Sequence, residues 1–597
     1  MLLRQQILLS VVGFPFIAAA QPTVTYDYVI VGGGAVGLPL AVRLSEDPTK
    51  TVVVLEAGNS PNITNLRLNA NNFGTANDWQ FLTVPQADVG NRVQAQVQGK
   101  VLGGGSAINS GMYLRGNKEE YDALETLGAT GWNWDSMFAA AKKSEHFHPP
   151  SPKEASTFNL TYNPTSHGFS GPISIAIQAV NVSNFFPDFA VPTLEALGHK
   201  MNFDPNGGFH TGPSWDFLTA LPDSSTRSYA VSGYYLPVIN RTNLHVMTEC
   251  QGTKIIWSTK ENTLAPRNDL LTATGVEYIV LDDAGVAQTR TISARNVILS
   301  GSALNTPKIL ELSGVGDPTI LNSLNITTLV DLPGVGANLC NQPITTASYL
   351  LKNGSIDAGN AIRSAIIDIQ PFSGYLSAED LHRSEQLLQT KPDLLSEAQF
   401  KVMKKQIKNG VPQMEFAWAR TIFFSPACLD SNVATNSNNI TTLTFDRLIL
   451  SKPFSRGTVH INSTDPLIPP VIDPKYLSAP HDKFAFAKGV QYTRKIVDTE
   501  PLKSIIAAPL SPDASVQTDE DFVNYVNTVS VSEHHFVGTS AMTPRSEGGV
   551  VDPSMVVYGT TNVRVADLSI IANLPGIHTV SLAYMVAERA AEIIKSE

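Results

Sequence analysis

The chain is predicted to be an α/β protein, α+β overall. One domain is assembled from both ends of the chain, and a second, built on an antiparallel sheet with helices, is inserted between them. Three observations lead there. The N-terminal part opens with a strand, a glycine turn, a helix and a second strand between Tyr26 and Glu56. The C-terminal residues hold another strand, Asn562 to Ala566, and a helix from Leu582 to Lys595. Between them lie strand patterns such as Phe445 to Pro474, with turns at Ser455-Arg456-Gly457 and Asp465-Pro466, and a polar stretch at 376–412 that reads as surface helices. A domain that begins and ends with the chain must be discontinuous. The expected division is a leader at 1–20, residues 21–320 mainly in the first domain with parts of the second, 321–530 mainly in the second, and 531–597 returning to the first.

Composition narrows the function classes. Of 597 residues, 43% are hydrophobic and 16% charged, which excludes a mainly disordered or fibrous chain. A net charge of −11 argues against a general nucleic-acid binder. Arg4, the apolar run Ile7 to Ile17 and Ala18-Ala19-Ala20 read as a secretory signal peptide, too short to span a bilayer. The expected location is therefore extracellular or in the cell wall, with no membrane span. Eight Asn-x-Ser/Thr sequons, at Asn62, Asn159, Asn181, Asn240, Asn325, Asn353, Asn439 and Asn462, fit N-glycosylation on that route. Cys250, Cys340 and Cys428 are too few for a disulfide scaffold; one bridge with one free thiol is an open option. Their spacing matches no zinc site, and no metal site is predicted.

Tyr26 to Val31 is a β-branched and aromatic run leading straight into Gly32-Gly33-Gly34-Ala35-Val36-Gly37. A helical pattern follows through Leu38, Leu40, Val42 and Leu44, then the apolar run Thr51 to Leu55, ending at Glu56. Gly32, Gly34 and Gly37 form the G-x-G-x-x-G spacing of a Rossmann-like dinucleotide fold. The first glycine permits the tight turn, the second lets main chain approach a pyrophosphate, and the third allows close helix–strand packing. Glu56 stands where a carboxylate accepts hydrogen bonds from ribose hydroxyls, which argues against a 2′-phosphate. The fingerprint does not by itself separate FAD from NAD.

A second glycine-rich loop, Gly99 to Asn109 (GKVLGGGSAIN), together with Ser302 to Gly316 (SALNTPKILELSGVG), resembles the two signatures of the glucose–methanol–choline (GMC) oxidoreductases. The resemblance continues through Leu332 to Gly336, Ser455-Arg456-Gly457 and the block from His535 to Arg589, so it covers nearly the whole chain after the leader. Within that group it lies with fungal aryl-alcohol oxidase and glucose dehydrogenase-like members. The resemblance implies FAD, a bilobal fold, and oxidation of a small-molecule alcohol to a carbonyl with oxygen or a quinone as electron acceptor. Some members attach FAD through a histidine at the position of Ile108, so non-covalent FAD is expected here. Gly103, Ser106 and Asn109 in the second loop, Thr253, Asp567 and Thr579 are the further cofactor contacts that the resemblance implies. Glycines let the loop lie against a flat ring, and Asn109 has an amide to hydrogen-bond it. Asp567 has a second reading, as a turn or helix cap.

His535 and His578 fall at the family's active-site pair. Hydride leaves a carbinol carbon readily only as the hydroxyl proton departs, and imidazole is the side chain that takes a proton near neutrality. His535 is expected to be the base while hydride passes to the flavin, with His578 binding the same oxygen. The two roles are open to exchange, and His534 is a rival for the base. Glucose-oxidising relatives carry Asn and Arg two and four residues before the matching histidine, where this chain has Glu533 and Val531, and Phe536 follows the base. Leu339-Cys340-Asn341-Gln342 lacks the acid that relatives usually carry there. These departures weaken the grip on a polyol and favour an aryl or allylic alcohol or a hydroxylated natural-product intermediate. A sugar dehydrogenase, sharing the Gly548 to Asp552 run, is one alternative. A non-redox lyase or cyclase on the same fold is another.

Overall fold

The computed structural model describes residues 24–60, 72–177, 186–215, 217–222, 226–258, 270–282, 285–352, 367–372, 376–419 and 442–597. The predicted leader, Asn62, Asn181, Asn353, Asn439 and Cys428 lie outside the described residues.

Strand Thr25–Val31 is the centre of the larger sheet. Val52–Leu55 pairs with it in parallel on one side, and residues 293–299 of the long strand Ala287–Leu299 on the other. Leu244–Met247 extends the sheet beyond Val52–Leu55, and Val563–Val565 beyond Ala287–Leu299. Five parallel strands thus draw on both ends of the chain. Val29, Ile30, Val52, Val53 and Val54 are fully buried, as continuous apolar runs in a parallel sheet require. The first half of the long strand turns away to pair antiparallel with Ala273–Leu281, which pairs in turn with Gln251–Trp257.

Helix Gly37–Leu44 packs against the C-terminal helix Val580–Ser596. Arg43 fastens the two by donating to the buried Glu588 carboxylate at 2.7–3.0 Å. The predicted closure of one domain by the two ends of the chain is therefore made by a sheet strand, a helix pair and an ion pair together.

A second, wholly antiparallel sheet runs in the spatial order Ile367–Phe372, Met414–Ala419, Thr442–Leu450, Pro343–Leu351, Ile506–Ser511. The short strand Val531–Ser532 adds to the start of Pro343–Leu351. Helix Pro480–Val497 covers part of this sheet, burying Phe486, Val490 and Ile496. The polar stretch at 376–412 forms two helices, Ala378–Leu387 and Glu397–Lys408, each opened by a serine capping box at Ser377 and Ser396.

Among the described residues, no helix is long and apolar enough to cross a membrane. Asn159, Asn240, Asn325 and Asn462 are all exposed. Cys250 and Cys340 are buried free thiols.

Candidate active site

Parallel α/β sheets bind ligands beyond the carboxyl ends of their strands. Here Gly32 follows Val31, Glu56 follows Leu55, Ser300 follows Leu299, and Asp567 lies two residues beyond Val565. All four line a cavity of about 1080 Å³.

One part of that cavity is a cradle of main chain. Gly32 adopts φ +107°, and a Cβ on it would lie 2.3 Å from the Ser300 carbonyl oxygen. A Cβ on Gly37 would lie 2.0 Å from the Gly32 carbonyl oxygen, so the helix can seat this close to the turn only without a side chain. At Gly34 the situation is opposite: its Cβ would meet only Gly104 Cα, at 3.8 Å, because the residue faces the cavity. The two glycine loops interlock through Gly103, whose N–H donates to the Gly33 carbonyl at 2.8 Å. Buried Glu56 accepts from Gly33 N–H (2.8 Å) and Gly58 N–H (2.7 Å), and burial pushes its carboxyl up to about 7.

Around the cradle, Ser106 donates to the Gly103 carbonyl at 2.6 Å, and Asn109 accepts from Arg227 at 2.5 Å. Thr253 donates to the Glu277 carbonyl at 3.1 Å. Asp567 caps the turn Leu568–Ile570 through Ser569 N–H (2.8 Å) and also accepts from Ser302 N–H (3.0 Å) and the Thr306 hydroxyl (2.6 Å). Thr579 occupies the N-terminus of the C-terminal helix. The structure places Gly32, Gly34, Glu56, Ser106, Asn109, Thr253, Asp567, Thr579, His535 and His578 on the cavity wall. Gly37 and Gly103 stand behind that wall, Gly37 against the turn and Gly103 against Tyr229 and Val231.

At the histidine corner, the rings of His535 and His578 lie 5.2 Å apart and nearly perpendicular. His535 Nδ1 is 2.5 Å from Gln342 Oε1, and its backbone N–H donates to Asn341 Oδ1 at 2.8 Å. Burial, aided by His578, His534 and Arg447, holds the His535 imidazole well below the ordinary histidine range, so it is neutral at pH 7. His578 Nε2 is 2.7 Å from Glu415 Oε1, and its Nδ1 is 3.8 Å from Glu533 Oε1. Burial raises the Glu415 carboxyl to about 8 against the pull of Arg447. His534 adopts φ +66°, and its Nδ1 meets Val97 N–H (3.2 Å) and the Ser532 hydroxyl (3.0 Å). Its ring also packs edge-on to Phe73. Neighbouring histidines on one loop are thereby aimed at different partners.

Glu415, Arg447 and Arg227 escaped the reading of the sequence. A signal for Glu415 was present: it is the single acid in the otherwise apolar strand MEFAWA, and a lone carboxylate there must find a partner on burial. Nothing comparable marks Arg447 or Arg227.

These features define an α/β protein with a glycine cradle and a two-histidine corner in one cavity. Two GMC oxidoreductase family models match it, one over residues 26–344 and one over 453–587. The chain belongs to the GMC oxidoreductases, and it is an FAD-dependent enzyme. A GMC oxidoreductase family protein of Malassezia sympodialis, Mala s 12, is 36% identical, covering 96% of this chain and 92% of the relative. An FAD-dependent oxidoreductase from Chaetomium thermophilum, solved with a thienyl oxobutanamide fragment, superposes with TM-score 0.84 at 28% identity, covering 96% of this chain and 99% of the other. A fungal aryl-alcohol oxidase superposes with TM-score 0.80 at 26% identity, with the same coverage.

Proposed function

We propose that this enzyme oxidises an aryl or allylic alcohol, or a hydroxylated natural product of similar shape, to the carbonyl. The observation that carries the reading is the pair of perpendicular imidazoles, 5.2 Å apart, on the wall of the cavity that holds the glycine cradle. The cradle fits FAD: Gly34 leaves open the space that a Cβ would fill, and Gly32, Glu56, Ser106, Asn109, Thr253, Asp567 and Thr579 are the residues that would hold the cofactor. Bound FAD supplies the two-electron acceptor.

The chain's own residues supply the proton chemistry. Neutral His535 accepts the hydroxyl proton. Burial raises the Glu415 carboxyl to about 8, and where that carboxyl carries its proton the O–H donates to His578 Nε2 and the His578 hydrogen sits on Nδ1. One imidazole then offers a lone pair and the other an N–H, the complement of a hydroxyl group that must both lose its proton and keep its orientation. Met112, Ile344, Val531 and Phe536 give this cavity apolar wall, and Phe73, Leu82 and Val93 are exposed apolar residues that also line it. Such surface suits an aromatic or allylic body better than a sugar. The predicted leader and four exposed sequons support secretion as a glycoprotein.

Anaerobic mixing with a panel of aryl alcohols, aliphatic alcohols and sugars is the test. Bleaching of the flavin by benzylic or allylic alcohols is expected. Bleaching by sugars alone would replace the substrate class, and product formed without bleaching would favour a lyase or cyclase. Reoxidation by air or only by a quinone separates oxidase from dehydrogenase.

A further inference from the structure

Gln342 is 1% exposed, and both ends of its amide are engaged. Its Nε2 donates to the Ser451 carbonyl at 2.9 Å, and its Oε1 lies 2.5 Å from His535 Nδ1. An amide can be turned end for end, and the turned form would demand the opposite imidazole tautomer. Ser451 decides between them, because a backbone carbonyl only accepts: turning Gln342 would set oxygen against oxygen. Adjacent Asn341 accepts from the His535 backbone N–H and donates to the Ser532 hydroxyl at 2.8 Å, and the Glu533 N–H donates to the Gln342 carbonyl at 3.1 Å. Two consecutive side chains thus clamp His535, one at the ring and one at the main chain.

We propose that Gln342 is the positioning residue that sets the tautomer of His535, keeping the proton on Nδ1 so that Nε2 presents the lone pair to the substrate hydroxyl. The inference rests on the reading of His535 as the base. A carboxylate in the same place would also orient the ring, but it would stabilise the imidazolium. A neutral amide orients the ring with no full negative charge to stabilise the imidazolium, so it favours protonation of the base much less than a carboxylate would. The charged and titratable groups facing His535 are His578 from the loop before the C-terminal helix, Arg447 from strand Thr442–Leu450, and His534 and Glu533 from its own loop, with Glu415 behind His578. Burial disfavours its protonation, and His578, His534 and Arg447 all act in the same direction.

The holoenzyme labelled with nitrogen-15 histidine tests the tautomer directly, the His535 signals being identified by their loss in His535→Ala. A pyrrole-type Nδ1 and a pyridine-type Nε2 are expected; the reverse pattern overturns the proposal. This readout needs no substrate, so it survives even if no alcohol bleaches the flavin, a result that would instead remove the base assignment. In Gln342→Glu, the acid limb of flavin reduction is expected to move up by at least about one pH unit, since an opposite charge at this range shifts a pKa by roughly 1–3 units. Gln342→Leu should keep its FAD yet reduce it about 10-fold more slowly, through kcat more than KM. An unmoved acid limb in Gln342→Glu, together with wild-type reduction in Gln342→Leu, would show that the contact only packs the loop.

Discussion

Gly33 and Gly103 meet through main-chain atoms at 2.8 Å, whereas His535 and His578 are held by the side chains of Gln342 and Glu415 at 2.5 and 2.7 Å. The cradle works by the absence of side chains: its turn, its close approach and its open face each need a glycine. The histidine corner works by convergence, drawing partners from residues 342, 415 and 533 to two imidazoles at 535 and 578. A backbone site tolerates little change in residue type but depends on short stretches of sequence. A side-chain site depends on four separate segments arriving together.

Substitutions that strike one region and spare the other sharpen this contrast. The largest effect is expected from His535→Ala, which should lower the rate of flavin reduction at least ~10²-fold, the scale of a lost general base, while FAD stays bound. Stopped-flow absorbance checks both, and wild-type reduction would end the assignment. Gly34→Val should do the reverse. It fills the open space proposed for the pyrophosphate, so the purified protein is expected to carry at most about a tenth of the normal flavin while the fold persists. Full occupancy by absorbance would contradict the cradle.

Gly37→Ala touches neither ligand nor histidine. Its methyl group would sit 2.0 Å from the Gly32 carbonyl oxygen, and overpacking of this kind costs about 1–3 kcal/mol, read as a lowered Tm. An unchanged Tm would mean that the turn relaxes freely.

The smallest effect is a pH dependence at Glu415. Its folded-state carboxyl, pushed up to about 8, favours the protonated form well above the ordinary value near 4.3. The associated stability is present below the ordinary value and is lost as pH rises toward 8. Glu415→Gln should therefore gain roughly 2–4 °C in Tm relative to wild type between pH 5 and 8. A flat difference across that range would show that Glu415 is ionised throughout and that His578 Nε2 carries a proton.

The legibility of the two regions follows from the same contrast. Gly32, Gly34, Gly37 and Glu56 announce themselves because strand, turn, helix and strand are contiguous, and each glycine has a local steric reason. Asp567 shows the limit of such reading. It lines the cavity, and it also caps the Leu568–Ile570 turn and the start of helix Ser302–Leu312, two uses that sequence presented as alternatives. His535 and His578 could be picked out through the family pattern, but nothing near them in sequence tells which ring nitrogen bears a proton.

Hydrophobic periodicity and local backbone sterics were enough to specify the α/β class, the closure of one domain by both chain ends, and the glycine cradle. The partners of the histidines come from the packing of the two sheets. Gln342 meets His535 and Glu415 meets His578 because the second sheet brings the start of Pro343–Leu351 and the strand Met414–Ala419 up to loops of the other domain. Hydrogen bonds between residues so far apart in the chain have no periodic signature. They exist only once both sheets are packed and the groups they satisfy are shut away from water.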